Sequence, residues 1–311
     1  MNNEHVIIGS GPTGQATARL LVSRGEQVVI INRSGSGDSI AGVQRLACDA
    51  ANKDSLRSAT GGATVIYNCA NPSYTSWPTD WPPLADSILN AATHAGARLV
   101  TLSNLYGYAP PTRPMVETDP LAATSVKGRV RADMWLAAKA AHDAGDVEVT
   151  EARASDFFGA ALGPSVHMGD RVTSALKAGK TVDVLGDPDA PHSWTAIDDV
   201  ATTLVELGSN PAAAGLAWHV PTAAPLSQRE LITQMGHVAG LENVKIRKTP
   251  PALLKVLGWC QPVIRELEEV MYQFEQPFVL DSSAAIEQFN LKPAPLAESL
   301  AKTMGHDAVM H

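Results

Sequence analysis

Short runs of β-branched and aliphatic residues alternate along the first half of the chain with longer stretches whose apolar positions recur every three or four residues. Val6-Ile7-Ile8 opens the series. A helical pattern follows from about Pro12 to Arg24, closed by Gly25 where a helix-terminating glycine belongs. Further strands are predicted at Val28 to Ile31, Val43 to Cys48, Val65 to Tyr67, Arg98 to Leu102 and Val147 to Val149. Helical patterns occupy the gaps, notably Leu84 to His94 and Ser125 to His142. The strand runs lack polar alternation, as strands buried on both faces do, and the βαβα order predicts an α/β fold with a doubly wound parallel sheet.

Beyond Arg153 the alternation loosens. Asp156 to Asp189 reads as a Gly/Pro-rich loop with one helix, Met168 to Ala178, and Asp198-Asp199 precede a further helix at a position where carboxylates satisfy free amides. Trp218 to Val220 suggests another strand, Ser227 to Val238 and Leu253 to Tyr272 read as helices, and Pro277 to Leu280 as a short strand. The expected division is a sheet domain over 1–155, with return segments near 186–225 and 276–281, and a smaller substrate-binding cap drawn mainly from 156–311.

Composition narrows the function classes. A chain of 311 residues, 45% hydrophobic and 18% charged, can bury a sizeable core and is not a disordered segment. Its 24 basic residues against 32 acidic ones give a net charge of −8 without a basic stripe, which argues against a nucleic-acid partner. No apolar run approaches the roughly 18 residues of a membrane span, and the N-terminus lacks a secretory signal. Cys48, Cys69 and Cys260 are too far apart for a C-x-x-C pair and suit reduced thiols, so a cytoplasmic protein without a metal site is expected.

The chemistry begins at Gly9-Ser10-Gly11-Pro12-Thr13-Gly14, a G-x-G-x-x-G motif set between an apolar strand and a helix. In that setting Gly9 serves the tight turn, Gly11 the close approach of a pyrophosphate, and Gly14 helix–strand packing. Pro12 sits near the first helical position, where its missing amide costs nothing. The free amides and dipole of the helix start favour a diphosphate. An Asp or Glu usually ends the second strand, about 20 residues past the glycines, to bind ribose hydroxyls. Here Asn32-Arg33-Ser34 stands instead, which removes repulsion against a 2′-phosphate and offers Arg33 to it. NADP(H) is therefore favoured, with NAD(H) left open. Gly9 to Gln15 also looks like the opening of flavin monooxygenases, but the acidic second-strand end and distal Gly-Asp segment of those chains are missing.

The ordered set of segments resembles the extended short-chain dehydrogenase/reductases, the NAD-dependent epimerase/dehydratase family, over nearly the whole chain. Cys48-Asp49-Ala50 is similar to the family's adenine-contacting Asp after the third strand, and Asn68-Cys69-Ala70 to the cofactor-bordering turn after the fourth. Thr101 to Gly107 resembles its Ser/Thr-bearing fifth strand, Arg153 to Gly159 the exit of the sixth, and His192 to Val200 and Pro277 to Asp281 its C-terminal segments. The resemblance implies a Rossmann fold, a small-molecule substrate and a homodimer built through helices including the one that bears Lys127. It also implies a Tyr-x-x-x-Lys pair and a Ser or Thr that move a proton while hydride passes to or from nicotinamide. Aligned on Gly128, the Tyr position holds Lys127 and the Lys position Arg131, while the Ser/Thr position falls on Leu102 with Ser103 beside it.

Lys127 and Arg131, at i and i+4, share a helix face and repel unless an anion lies near, and a cofactor phosphate or a substrate carboxylate would be such an anion. Candidate proton groups are Lys127, Tyr74 and Tyr106, with Ser103 orienting the reacting oxygen and Arg131 bonding the cofactor ribose. Tyr108, His167 and His192 are further polar candidates, and Trp77 and Trp81 either wall a pocket or cover the core. Two readings stand: an NAD(P)-dependent oxidoreductase or epimerase/dehydratase-like enzyme of atypical active site acting on a small carbonyl, sugar or isoprenoid-like compound, or a non-catalytic NADP(H)-binding redox sensor.

Overall fold

The structure, a computed structural model, describes residues 4–163, 166–260 and 262–305. In chain order the first part contains β1 (Glu4–Ile8), α1 (Pro12–Ser23), β2 (Gln27–Asn32), β3 (Val43–Ala47), α2 (Lys53–Ala59), β4 (Ala63–Asn68), α3 (Trp77–Ala95), β5 (Arg98–Asn104), α4 (Val126–Asp143) and β6 (Val149–Ala154). Then come β7 (Asp156–Phe158), α5 (Asp170–Lys177), β8 (Val182–Val184), β9 (Trp194–Ala196), α6 (Ile197–Ser209), β10 (Ala217–His219), α7 (Gln228–Val238) and β11 (Ile246–Lys248). The helices α8 (Pro251–Cys260), α9 (Pro262–Leu267), α10 (Tyr272–Glu275), α11 (Ser283–Phe289) and α12 (Leu296–Met304) complete the chain.

Two compact units result. The first comprises 1–107, 121–154 and 200–220; the second comprises 108–120, 155–199 and 221–311. The first unit holds a seven-stranded sheet in the order β10-β6-β5-β4-β1-β2-β3, every pair parallel. This is the doubly wound, Rossmann-type arrangement, with the order reversing beside β1, where such folds bind ligands at the carboxyl ends of the strands. Apolar strand residues and one face of each helix make its core: Val6, Ile8, Val29, Ile31, Ile66, Leu99 and Val149 against Leu56, Ile88, Ala91 and Ala92. The second unit has two short parallel pairs, β7 with β9 and β8 with β11, around a core that includes Phe158, Met168, Leu176, Trp194, Ile232 and Phe274.

Local chemistry accounts for several departures from the sequence expectation. The sixth strand lies at Val149–Ala154 rather than Val147–Val149. Glu151 and Arg153 break the apolar pattern there, yet both are buried because they neutralise each other. The helix expected from Leu84 begins at Trp77, with Pro78 in its first turn and Pro82 and Pro83 carried inside it. The stretch expected as one helix from Leu253 to Tyr272 gives way to a 3-10 turn at Glu268–Val270. Pro277 to Leu280 forms isolated bridges, Phe278 to His192 and Leu280 to Met115, in place of a strand. No helix among the described residues is long and apolar enough to cross a membrane.

Candidate functional site

The glycine turn is built as its spacing requires. Gly9 has φ +107°, and a Cβ there would lie 2.6 Å from the Cys69 carbonyl oxygen, so only glycine joins β1 to α1 at this closeness to β4. A Cβ on Gly14 would meet the Gly9 oxygen at 2.1 Å. Gly11 differs: a Cβ there would meet nothing within 4 Å. It is the exposed N-cap of α1, no side chain caps the helix, and Pro12 follows at the start. The turn thus presents open space backed by free backbone amides.

The neighbouring segments shape its rim. Asn32 donates from Nδ2 to the Ser10 hydroxyl (2.6 Å) and the Ser36 carbonyl (2.7 Å), and its Oδ1 accepts from the Ser34 amide (3.2 Å). It fastens the β2 exit to the glycine turn. Arg33 is exposed, and it lines a concavity of about 480 Å³ together with Leu46, Cys48, Asp49 and Ser55. Asn68 is buried at the end of β4 and accepts from the Ala70 amide (3.3 Å). The Cys69 thiol turns inward to Thr13 and Thr17, and burial pushes its pKa up to about 12. Cys69 and Ala70 therefore meet the turn by backbone, while Thr13 packs inward. The side chain of Cys260 lies outside the described residues.

A second group gathers on α4. Ser125 caps this helix by accepting from the Gly128 amide (3.0 Å). Gly128 is compulsory there, because a Cβ would come within 2.3 Å of the Tyr106 carbonyl oxygen. That closeness turns Lys127 and Arg131 inward, 0% and 7% exposed. The Lys127 ammonium sits 4.5 Å from the centre of the Tyr74 ring, on the 3-10 turn Tyr74–Ser76. The Arg131 guanidinium lies 4.5 Å from the ring centres of both Trp77 and Trp81. Tyr106 stacks 6.0 Å from Trp77 at a tilt. The structure thus brings Tyr74, Tyr106, Lys127 and Arg131 together, with Trp77 and Trp81 as the walls of their cluster.

Two further members come from β6. Glu151, 2% exposed, accepts from Arg153 Nε at 2.7 Å and from the Ser103 hydroxyl. Ser103 is thereby engaged with a strand carboxylate. Burial pushes the Glu151 carboxyl upward, opposed by Arg153 and then Arg131. Burial also lowers the Arg131 pKa to about 10, with the Glu151 charge acting the other way. Glu151 thus acts on Arg131 through its charge, without a hydrogen bond to Arg131 Nε or Nη1. Sequence reasoning missed this carboxylate, although an i, i+2 Glu–Arg pair inside a buried strand was the available signal. His167 and His192 lie in the second unit, where His192 contacts Asp156 (3.0 Å) and the Gln273 carbonyl (3.1 Å), and His167 bonds Gln228 (2.7 Å). Tyr108 also belongs to that unit.

The model of the NAD dependent epimerase/dehydratase family matches residues 6–218 of this chain. The chain belongs to that family. A curated relative, UDP-glucose 4-epimerase of Mycolicibacterium smegmatis, is 27% identical over 240 residues, covering 66% of this chain and 73% of that protein. The solved UDP-glucose 4-epimerase of Thermus thermophilus, in complex with NAD, superposes with a TM-score of 0.77 at 16% identity, over 97% of this chain and 98% of that one. An epimerase of Methanothermobacter thermautotrophicus gives 0.81 at 15% identity, over 98% and 91%. At these identities the structural likeness is one of fold.

Proposed function

We infer that this chain is a nicotinamide-dinucleotide-dependent oxidoreductase of the epimerase/dehydratase type, favouring NADP(H), that acts on a small carbonyl or sugar-like substrate through an atypical residue set. The observation that carries the reading is the open space at Gly11. Between two glycines whose Cβ positions are blocked by backbone, the middle one faces free room at an uncapped helix start, as the approach of a diphosphate requires. The residues present therefore fit the dinucleotide. Gly9, Gly11, Pro12, Thr13 and Gly14 form its diphosphate turn. Asp49 and Arg33 share the adjoining concavity, and Asn68, Cys69 and Ala70 border the turn from β4. Asn32 and Ser34 hold the loop from which Arg33 reaches a 2′-phosphate. NAD in the solved Thermus epimerase supports the dinucleotide class, and Arg33 supports the phosphorylated member.

When bound, the nicotinamide supplies the hydride acceptor or donor. The chain's own part is the proton and the oriented oxygen. Lys127 carries a proton at Nζ beside Tyr74, and Tyr106 lies in the same cluster. Arg131 keeps positive charge beside them, where it steadies negative charge developing on a reacting oxygen. Ser103, held by Glu151, orients the reacting oxygen. The sensor reading draws on one observation, the complete burial of Lys127 under Tyr74. Val126 and Leu136, 43% and 55% exposed on α4, suit a contact between two copies of the chain.

The test is titration of the purified protein with NADPH and NADH, followed by nicotinamide absorbance with a panel of aldehydes, ketones and sugar nucleotides. Arg33→Ala is expected to weaken NADPH about tenfold to a hundredfold and leave NADH nearly unchanged. Tighter binding of NADH by the unmutated protein would overturn the phosphate assignment. Turnover that disappears in Lys127→Ala supports the enzyme, whereas tight binding without turnover across the panel supports the sensor.

A further inference from the structure

Three buried donors in the α3–α4 cluster have no hydrogen-bond acceptor in the protein: Nε and Nη1 of Arg131 and Nε1 of Trp81. Arg131 is 7% exposed and Trp81 0%. They are neighbours, since the guanidinium lies 4.5 Å from the Trp81 ring centre. Glu151 does not satisfy them, because it accepts from Arg153 and Ser103 and acts on Arg131 only through its charge. Buried donors without an acceptor destabilise a fold, so their retention calls for a reason other than stability. All three orphans are donors, and two belong to a desolvated cation, so the missing partner is an acceptor that carries negative charge.

The geometry points to a substrate carboxylate bound by Arg131 and Trp81, which makes the substrate class of this site an acid, such as a sugar acid, rather than a neutral sugar. The inference rests on the reading of this cluster as the substrate end of the site. A carboxylate has two oxygens in one plane and can accept from a guanidinium and an indole N–H at once. The indoles of Trp77 and Trp81 shield the guanidinium and so strengthen such a bond. Entry is eased by Pro82 and Pro83, which have no N–H to return to the carbonyls of Pro78 and Thr79, so the turn bearing both indoles is loosely tied to the rest of α3.

The experiment titrates the full chain with D-glucuronate, D-glucose and inorganic phosphate, with and without NADPH, and reads indole fluorescence and calorimetric affinity. Glucuronate is expected to bind at least about tenfold more tightly than glucose. Trp81→Phe, which keeps a ring but deletes the N–H, is expected to lose about tenfold in glucuronate affinity with little change in the melting temperature of the free protein. Arg131→Met is expected to abolish the preference for the acid. Should it fail to fold, Arg131→Lys, which keeps the charge and loses the fork, still reports a weakened preference. Equal binding of glucose and glucuronate, unchanged glucuronate affinity in Trp81→Phe, or phosphate binding as tight as glucuronate would each overturn the inference. Glucuronate binding without any NADPH binding would instead overturn the dinucleotide reading and leave this one standing.

Discussion

Glu151 and Arg153 show how a single strand hides two charges. Each is about 3% exposed, and their contact of 2.7 Å makes burial tolerable. Removing one member of such a pair leaves the other stranded, so Glu151→Ala is expected to destabilise the fold by about 3–5 kcal/mol, measurable as a fall in the urea midpoint. Glu151→Gln should cost less, because an amide still accepts from Arg153 and Ser103. His167 gives a prediction in pH. Burial holds its pKa down to about 4 from 6.5, with the Gln228 bond opposing. Between those values the unfolded chain binds a proton that the folded chain does not, so stability declines as pH falls through that window. His167→Gln should flatten that decline relative to the unmutated protein, as urea unfolding at neutral and acid pH would record. The pattern at these residues explains what was legible beforehand. Lys127 and Arg131 could be placed on one helix face from spacing alone, whereas the carboxylate whose charge acts on Arg131, Glu151, sits on the following strand, outside the reach of that spacing.

At the scale of the element, the β1–α1 turn separates two uses of glycine. Gly14→Ala drives a Cβ to 2.1 Å from a backbone oxygen, and the variant should fold poorly or not at all. Gly11→Ala meets no protein atom, so it should fold normally while losing at least about tenfold in dinucleotide affinity, a split that melting and calorimetry together resolve. Helix α7 carries a full capping box, with Ser227 and Glu230 each satisfying the other's backbone amide. Ser227→Ala should therefore lower stability by about 1 kcal/mol without touching cofactor binding. Helix α3 is the opposite case: its start at Trp77 was hidden by prolines, which propensity alone reads as loop.

For the molecule as a whole, the dinucleotide turn and the α4 cluster both belong to the first unit. A ligand held there stabilises the folded state by mass action, about 2.7 kcal/mol at a hundredfold excess over Kd. NADPH should accordingly raise the melting temperature and slow amide exchange in β1, β2 and β4, and an unchanged exchange pattern there would argue against the site. The sequence alone determined the α/β class, the parallel sheet and the glycine turn, because strand burial, helix periodicity and turn chemistry are local and written in consecutive residues. Only the tertiary structure decided that β10 returns to pair with β6, that the Cys69 thiol faces α1, and that Trp77, Trp81, Arg131 and Glu151 converge. Those outcomes depend on which distant surfaces close upon each other, and no run of consecutive residues specifies that.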